Sequence, residues 1–164
     1  MLSKSIQDAI NDQINKELFS SYLYLAMSSY YAESNLSGFA SWMRVQSTEE
    51  YGHAMKFYGY VIERNGHVEL APIDKPQAKF KSPVDVFRQV LDHEQKVTAM
   101  INKLYELATK EKDYPTQIML EWFITEQLEV EKSAGDILDQ LMMIGDSPVS
   151  IVMMDRQLAA RASK

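Results

Sequence analysis

The sequence contains no cysteine among its 164 residues. This absence excludes disulfide bonds, zinc–thiolate sites, iron–sulfur clusters and thiol nucleophiles. Any metal bound by this chain must therefore be held by carboxylate, imidazole or amide groups.

Long apolar stretches are missing as well. No segment approaches the roughly 20 apolar residues that a membrane-spanning helix needs, and residues 1–13 lack the apolar run of a signal peptide. We therefore expect a cytoplasmic protein with no membrane partner. The net charge of −6 disfavours nucleic acid as a partner and favours cations.

Apolar residues recur with a helical period in four long segments. The first covers about 6–32, the second about 38–64, the third begins after Ser82 and the fourth ends at Ile144. Residues 66–82 have no helical period and are long enough to cross the full length of a helix. The chain of 164 residues is thus predicted to be one all-α domain, 1–164. It is a four-helix bundle over about 4–144 with one long crossover, followed by a short fifth helix over about 148–160.

Several residues mark the predicted helix ends. Ser37 is expected to cap the start of the second helix, and Ser82 with Pro83 is expected to start the third. Asn65-Gly66 is expected to end the second helix, with Gly66 in the left-handed conformation.

Glu50 and His53 interrupt the apolar face of the second helix. Met43 and Phe57 lie seven residues before and after Glu50, so these three residues share one side of the helix. An ionised carboxylate in a dry interior is costly unless it is paired or binds a cation. A buried Glu followed three residues later by His therefore suggests a metal site, although a solvated pair explains an isolated motif equally well.

The other three helices also carry polar residues in their apolar faces. Glu17 shares a face with Tyr24 on the first helix, Glu94 interrupts the third and Gln127 the fourth. These residues can meet the motif of the second helix near the middle of the bundle. Such a set suits a divalent metal such as iron or manganese, with Glu50 placed to bridge two ions.

Other polar residues near these faces have ordinary interpretations. Glu126 and Glu129 flank Gln127 and, taken alone, are typical of a solvated face. His93 lies one step around its helix from the apolar face, and we expect it to be solvated.

The fifth helix carries four consecutive apolar residues, Ile151–Met154. On a short helix outside the bundle they would be exposed in a monomer. They therefore predict either a subunit interface or a helix that folds back on its own subunit.

Five segments resemble prokaryotic non-haem ferritins, and the resemblance extends along essentially the whole chain. They are Asp12–Glu17, Tyr22–Leu25, Glu49–Met55, His93-Glu94 and Trp122–Gln127. The resemblance implies a ferritin-like bundle, a homo-oligomeric cage of 24 subunits and iron storage. It also implies ferroxidase activity, in which Fe(II) is oxidised by dioxygen and the ferric product is stored as mineral inside the cage.

The resemblance further implies roles for individual residues. The ligands implied for one iron of a di-iron centre are Glu17, Glu50 and His53. Those implied for the other are Glu50, Glu94 and Gln127. Tyr24 would be a nearby redox-active or hydrogen-bonding aromatic. A third iron would be bound by Glu49, Glu126 and Glu129.

Val130 departs from the family pattern. Many relatives carry a glutamate at this position, where it links the third iron site to the second. A valine cannot bind a metal, so this chain lacks one of the ligands that many relatives have at the third iron site.

Two alternatives remain at this stage. A bacterioferritin would have a second histidine in a symmetric site and a haem at the subunit interface; Val130 and Gly52 both argue against it, and haem is not expected. A non-catalytic helical assembly protein would leave its inward glutamates merely solvated.

Overall fold

A computed structural model describes residues 2–161, and these residues form five α-helices. The helices are α1 (Lys4–Glu33), α2 (Ser37–Glu63), α3 (Pro83–Lys110), α4 (Tyr114–Ile144) and α5 (Pro148–Leu158). The predicted all-α bundle with a short fifth helix is confirmed. None of the described helices is long and apolar enough to cross a membrane.

The predicted start of α3 is confirmed. The Ser82 side chain accepts a hydrogen bond from the backbone N–H of Asp85, and Pro83 occupies the first helical position. Asp113 caps α4 in the same way through the N–H of Thr116. These side chains satisfy N–H groups that have no partner within the helix.

The predicted cap of α2 is wrong. Leu36 occupies the N-cap position, without a side-chain hydrogen bond, and Ser37 is the first helical residue. The N–H of Phe39 instead donates to Asp155 Oδ1 of α5 at 2.9 Å. The start of α2 is therefore capped by a residue distant in sequence, which no local pattern around Ser37 could indicate.

The turn after α2 also differs from the prediction. Asn65, not Gly66, adopts a positive φ, of 55°. Gly66 is needed for close packing, because a Cβ atom there would lie 2.9 Å from both Gln7 Oε1 and Val61 Cγ1. The turn therefore requires glycine at position 66 for space, and a residue that tolerates the left-handed backbone conformation at position 65.

The helix directions follow from contacts made by the end of α1. Ser28 donates to the carbonyl of Ala40 near the start of α2 at 2.8 Å. Tyr31 donates to the carbonyl of Pro83 at the start of α3 at 2.9 Å. Because α1 is antiparallel to both neighbours, α2 and α3 are parallel, and residues 64–82 form the predicted crossover.

Polar side chains of α1 hold the crossover against the bundle. Asn11 Nδ2 donates to the carbonyl of His67 at 3.0 Å. Asn15 Nδ2 donates to the carbonyls of Ala71 at 3.2 Å and Pro72 at 3.0 Å. The crossover has no helix or strand of its own, so these bonds satisfy part of its backbone.

Two apolar cores fill the bundle, one towards each end. One contains the end of α1 and the starts of α2 and α3 with the end of α4; the other contains the opposite ends of the same helices. Between them lies a layer of buried polar side chains, which we call the polar layer: Gln13, Glu17, Gln46, Glu50, His53, Glu94 and Gln127. Each of the four long helices contributes to it.

The fifth helix packs on its own subunit through one face. Gly38 permits this contact, because a Cβ atom at that position would lie only 1.7 Å from the carbonyl oxygen of Asp155. Met154 is buried on that face, whereas Val152 and Met153 are 46% and 67% exposed. The predicted folding back of the fifth helix on its own subunit is thus present, and the opposite side of the helix leaves apolar residues exposed.

Candidate metal centre

Potential metal ligands converge within the polar layer. Glu17 of α1 and Glu50 and His53 of α2 each offer one ligand atom within 4.8 Å of the others. His53 Nδ1 lies 3.4 Å from Glu50 Oε2 and 3.8 Å from Glu17 Oε2. The carboxylates are buried and His53 is 6% exposed. The motif of α2 is thus joined by the carboxylate predicted on α1.

One oxygen of each carboxylate is held and the other lacks a hydrogen-bond partner. Gln13 Nε2 donates to Glu17 Oε1 at 2.7 Å, and Gln46 Nε2 donates to Glu50 Oε1 at 2.8 Å. Glu17 Oε2 and Glu50 Oε2 are buried without such a partner. Buried polar atoms are normally satisfied, so this pair of oxygens beside an imidazole nitrogen fits a bound divalent cation.

In the metal-free site the two carboxylates favour protonation of the neighbouring His53, at the position where a cation would bind. Burial raises the pKa of Glu50. Burial alone would lower the pKa of His53, but the carboxylates of Glu17 and Glu50 outweigh this effect and raise it to about 10. His53 therefore carries a proton at neutral pH, and a cation that binds the group displaces it.

Glu94 is surrounded by hydrogen-bond donors. The Tyr24 hydroxyl donates to Oε1 of Glu94, and Gln127 Nε2 lies 3.1 Å from Oε2 and 3.2 Å from the Glu94 carbonyl. Burial, with a further contribution from the charge of Glu50, raises the pKa of Glu94 to about 8. Glu94 and Gln127 are therefore hydrogen-bonded to each other, and Glu94 lies close enough to Glu50 for the two carboxyl groups to interact electrostatically.

The predicted glutamates outside the polar layer are found near one opening. Glu49 and Glu126 are half-buried, and both line a cleft of about 780 Å³ together with His53 and Trp122. Glu129 is exposed and lies about one turn further along α4. The structure thus brings Glu49 and Glu126 to the same cleft beside His53.

Sequence reasoning assigned no role to three polar residues beside the centre: Gln13 and Gln46, which hydrogen-bond to its carboxylates, and Arg161, which hydrogen-bonds to Gln46. The two glutamines each lie four residues before a predicted ligand, so a repeated Gln-x-x-x-Glu spacing was visible in the sequence. Arg161 has no such signal. It lies beyond α5 and forms an ion pair with Glu49, with 2.7 Å between Nη2 and Oε2.

The prediction that His93 is solvated is wrong. Its Nε2 atom lies 2.7 Å from Ser20 Oγ, and its ring packs edge-on to that of Tyr24, with centroids 6.2 Å apart. Burial lowers the pKa of His93. The side of α3 next to its apolar face points at α1 and not at solvent, which a single-helix pattern does not reveal.

Comparisons with known proteins agree with this architecture. A family model described as a ferritin-like domain matches residues 7–144. The bacterial non-haem ferritin of Bacteroides fragilis is 41% identical over 161 residues, which cover 98% of this chain and 100% of that protein. The bacterial non-haem ferritin of Staphylococcus haemolyticus is 39% identical over 162 residues, covering 99% and 98%.

Solved structures show the same likeness. An engineered closed form of the Archaeoglobus fulgidus ferritin has a TM-score of 0.98 and 41% identity, with both chains fully covered. The open-pore ferritin of the same archaeon has a TM-score of 0.97 and 42% identity over 98% of each chain. The chain belongs to the ferritin family, among its iron-storing non-haem members.

Proposed function

We propose that this ferritin oxidises Fe(II) with dioxygen at a di-iron centre in the polar layer and stores the ferric product inside a cage of 24 subunits. The observation that carries the proposal is the pair of buried oxygens, Glu17 Oε2 and Glu50 Oε2, which have no hydrogen-bond partner beside the His53 ring. In the metal-free chain the protonated His53 lies beside these oxygens, 3.4 Å from Glu50 Oε2 and 3.8 Å from Glu17 Oε2, and a divalent cation bound by the three groups would replace that proton.

The available ligands suit iron. The centre offers carboxylates, one imidazole and one amide, and it has no thiolate. We assign one iron to Glu17, Glu50 and His53, and a second to Glu50, Glu94 and Gln127. When bound, two ferrous ions supply the electrons that reduce dioxygen. The second position has no imidazole, so we expect it to bind iron more weakly.

The surrounding residues orient the ligands before iron arrives. Gln13 and Gln46 each hold one carboxylate oxygen, which leaves the other directed towards the site. Tyr24 holds Glu94 through its hydroxyl group. Burial raises the pKa of Tyr24 well above its ordinary value, so its phenol keeps the proton that it donates to Glu94. Such preorganisation lowers the cost of assembling the site on binding.

The cleft beside His53 opens towards the centre and is lined by charged side chains of both signs. Glu49 and Glu126 line it, and Glu129 lies nearby on α4. We propose that Glu126 and Glu129 attract Fe(II) to the opening, because negative charge along a cleft raises the local concentration of cations; Glu49 is paired with Arg161, and Lys56 adds a positive charge to the same lining. A third iron bound by all three glutamates would have to compete with Arg161, which is already paired with Glu49.

The exposed apolar face of α5 supports assembly into a homo-oligomer. Val152 and Met153 are exposed in the subunit, and exposed apolar surface of this kind marks an interface. We propose a cytoplasmic cage, with Fe(II) and dioxygen as its small-molecule partners and without haem.

An anaerobic titration of the metal-free assembled protein with Fe(II), followed by addition of dioxygen, tests the proposed activity. We expect a pair of ions per chain and rapid oxygen consumption. Glu50→Ala should abolish rapid oxidation and leave the cage intact, because Glu50 is the ligand shared by both irons. Glu63→Ala, which removes an exposed glutamate from the end of the same helix, is the matched control.

Two results would contradict the proposal. One is fast oxidation in the Glu50→Ala protein. The other is a wild-type protein that assembles as a cage but binds no Fe(II) at the level of one or two ions per chain. In either case the polar layer would not be the site of oxidation.

A further inference from the structure

Arg161 connects the end of the described chain to the flank of the metal centre. Its Nη2 atom donates to Glu49 Oε2 at 2.7 Å and to Gln46 Oε1 at 3.0 Å. Gln46 in turn donates to Glu50. One guanidinium group therefore contacts a glutamate at the cleft and, through a single amide, a proposed iron ligand.

The guanidinium is held from more than one side. It lies over the Trp42 ring, 4.3 Å from the centroid, and Nη1 lies 3.4 Å from the Trp42 carbonyl oxygen. The side chains of Arg161 and Glu49 are only 22% and 14% exposed. A fixed and largely buried ion pair is screened much less than a surface pair, and removing one partner leaves an uncompensated charge.

We propose that Arg161 is a positioning residue that acts as a built-in cation at Glu49, and so limits the metal centre to a pair of ions. This inference rests on the proposed di-iron function. A divalent cation bound by Glu49 Oε2 would need the oxygen that now accepts the guanidinium hydrogen bond. It would also bring two positive groups within a few ångströms of each other, which is unfavourable in a partly buried site.

The neighbouring helix offers little to compensate for displacing Arg161. Glu126 lines the cleft, but Val130 is buried and has no ligand atom. A further cation at this flank would thus have Glu126 and Glu129 but no ligand at position 130 on α4, and it would also have to displace the guanidinium paired with Glu49. The guanidinium is part of the chain, so it is present at every iron concentration.

Anaerobic equilibrium binding of Fe(II) to the metal-free, assembled full-length protein tests the inference. We expect the wild-type protein to bind a pair of ions per chain and Arg161→Ala to bind one further ion. Adding Glu49→Gln to Arg161→Ala should remove that further ion, because the released carboxylate is its ligand. Arg156→Ala removes an exposed positive charge from α5 and should leave the wild-type number unchanged.

The possible outcomes separate this inference from the proposed function. A wild-type protein that binds no pair of ions would refute the proposed function and, with it, the inference. If the wild-type protein and Arg161→Ala both bind two ions per chain, the inference alone is refuted. The same holds if the wild-type protein already binds a third ion. If Arg161→Ala does not assemble, Arg161→Gln serves in its place, because glutamine keeps hydrogen-bonding capacity without the charge.

Discussion

Replacing Glu94 by glutamine should stabilise the metal-free protein at neutral pH. Glu94 is buried beside Glu50, and these surroundings raise its pKa from 4.5 to about 8. Between these two values the folded chain binds more protons than the unfolded chain, so stability falls as pH rises. Below pH 4.5 this penalty is absent, and above the folded pKa it is complete.

The size of the effect follows from the same shift. Each pH unit within the window is worth about 1.4 kcal/mol. Between pH 4.5 and about pH 7 Glu94 ionises in the unfolded chain but keeps its proton in the folded chain, which lowers stability by roughly 3 kcal/mol. Glutamine keeps the shape of the side chain. Its carbonyl can still accept from Gln127, and the Tyr24 hydroxyl can rotate to accept from the new amide. Allowing about 1 kcal/mol for this rearrangement, we expect a net gain of about 2 kcal/mol.

Thermal unfolding in the presence of a chelator measures this gain. For a chain of this size, about 2 kcal/mol raises Tm by roughly 4–8 °C near neutral pH, and the difference should shrink towards pH 5. Protein concentration must be fixed, because assembly also stabilises the folded state. Glu106→Gln, at an exposed position on α3, is the matched control. A Glu94→Gln protein that is less stable at neutral pH, or that has the wild-type pH dependence, would refute the reasoning.

Two further predictions concern α5 and the proton on His53. Gly38→Ala should detach α5, because the new Cβ would lie 1.7 Å from the Asp155 carbonyl oxygen; hydrogen exchange should then show loss of protection in α5. At Gly59 a Cβ would meet nothing within 4 Å, so Gly59→Ala should instead add about 0.5–1 kcal/mol of stability. Equal protection of α5 in the two variants would contradict the close contact between Gly38 and Asp155. Binding of Fe(II) should release the His53 proton, since the pKa of about 10 keeps it bound at neutral pH, and affinity should therefore increase with pH. Anaerobic calorimetry in two buffers of different ionisation enthalpy measures the protons released, and a value of zero would show that His53 carries no proton in the metal-free site.

The helices and the inward polar residues could be predicted because each depends on a pattern within one helix. A carboxylate such as Glu94 that recurs in register with apolar residues must point to the same side as they do. The crossover was also predictable. A long segment without helical period is unusual in a compact domain unless it connects distant points, and this one is long enough to run the full length of a helix. Both inferences use only sequence neighbours and the geometry of a helix.

The features that sequence did not reveal depend on contacts between distant segments. Asp155 caps α2 from α5, and Arg161 reaches Glu49 from beyond α5. His93 is half-buried and hydrogen-bonded to Ser20 because the adjoining side of α3 faces α1. In each case the decisive partner lies far away along the chain, so the local pattern was compatible with solvent exposure.

The polar layer also determines how the helices align along the bundle axis. Two apolar cores built largely from interchangeable aliphatic and aromatic residues would tolerate a shift of one helix by two turns, since similar side chains would meet again. Such a shift would move Glu50 or Glu94 into an apolar core, where an ionised carboxylate has neither a cation nor a donor. Misaligned bundles are therefore penalised by the same residues that are proposed to bind iron. Replacing the whole layer by apolar residues would produce a bundle that is more stable but less uniquely aligned.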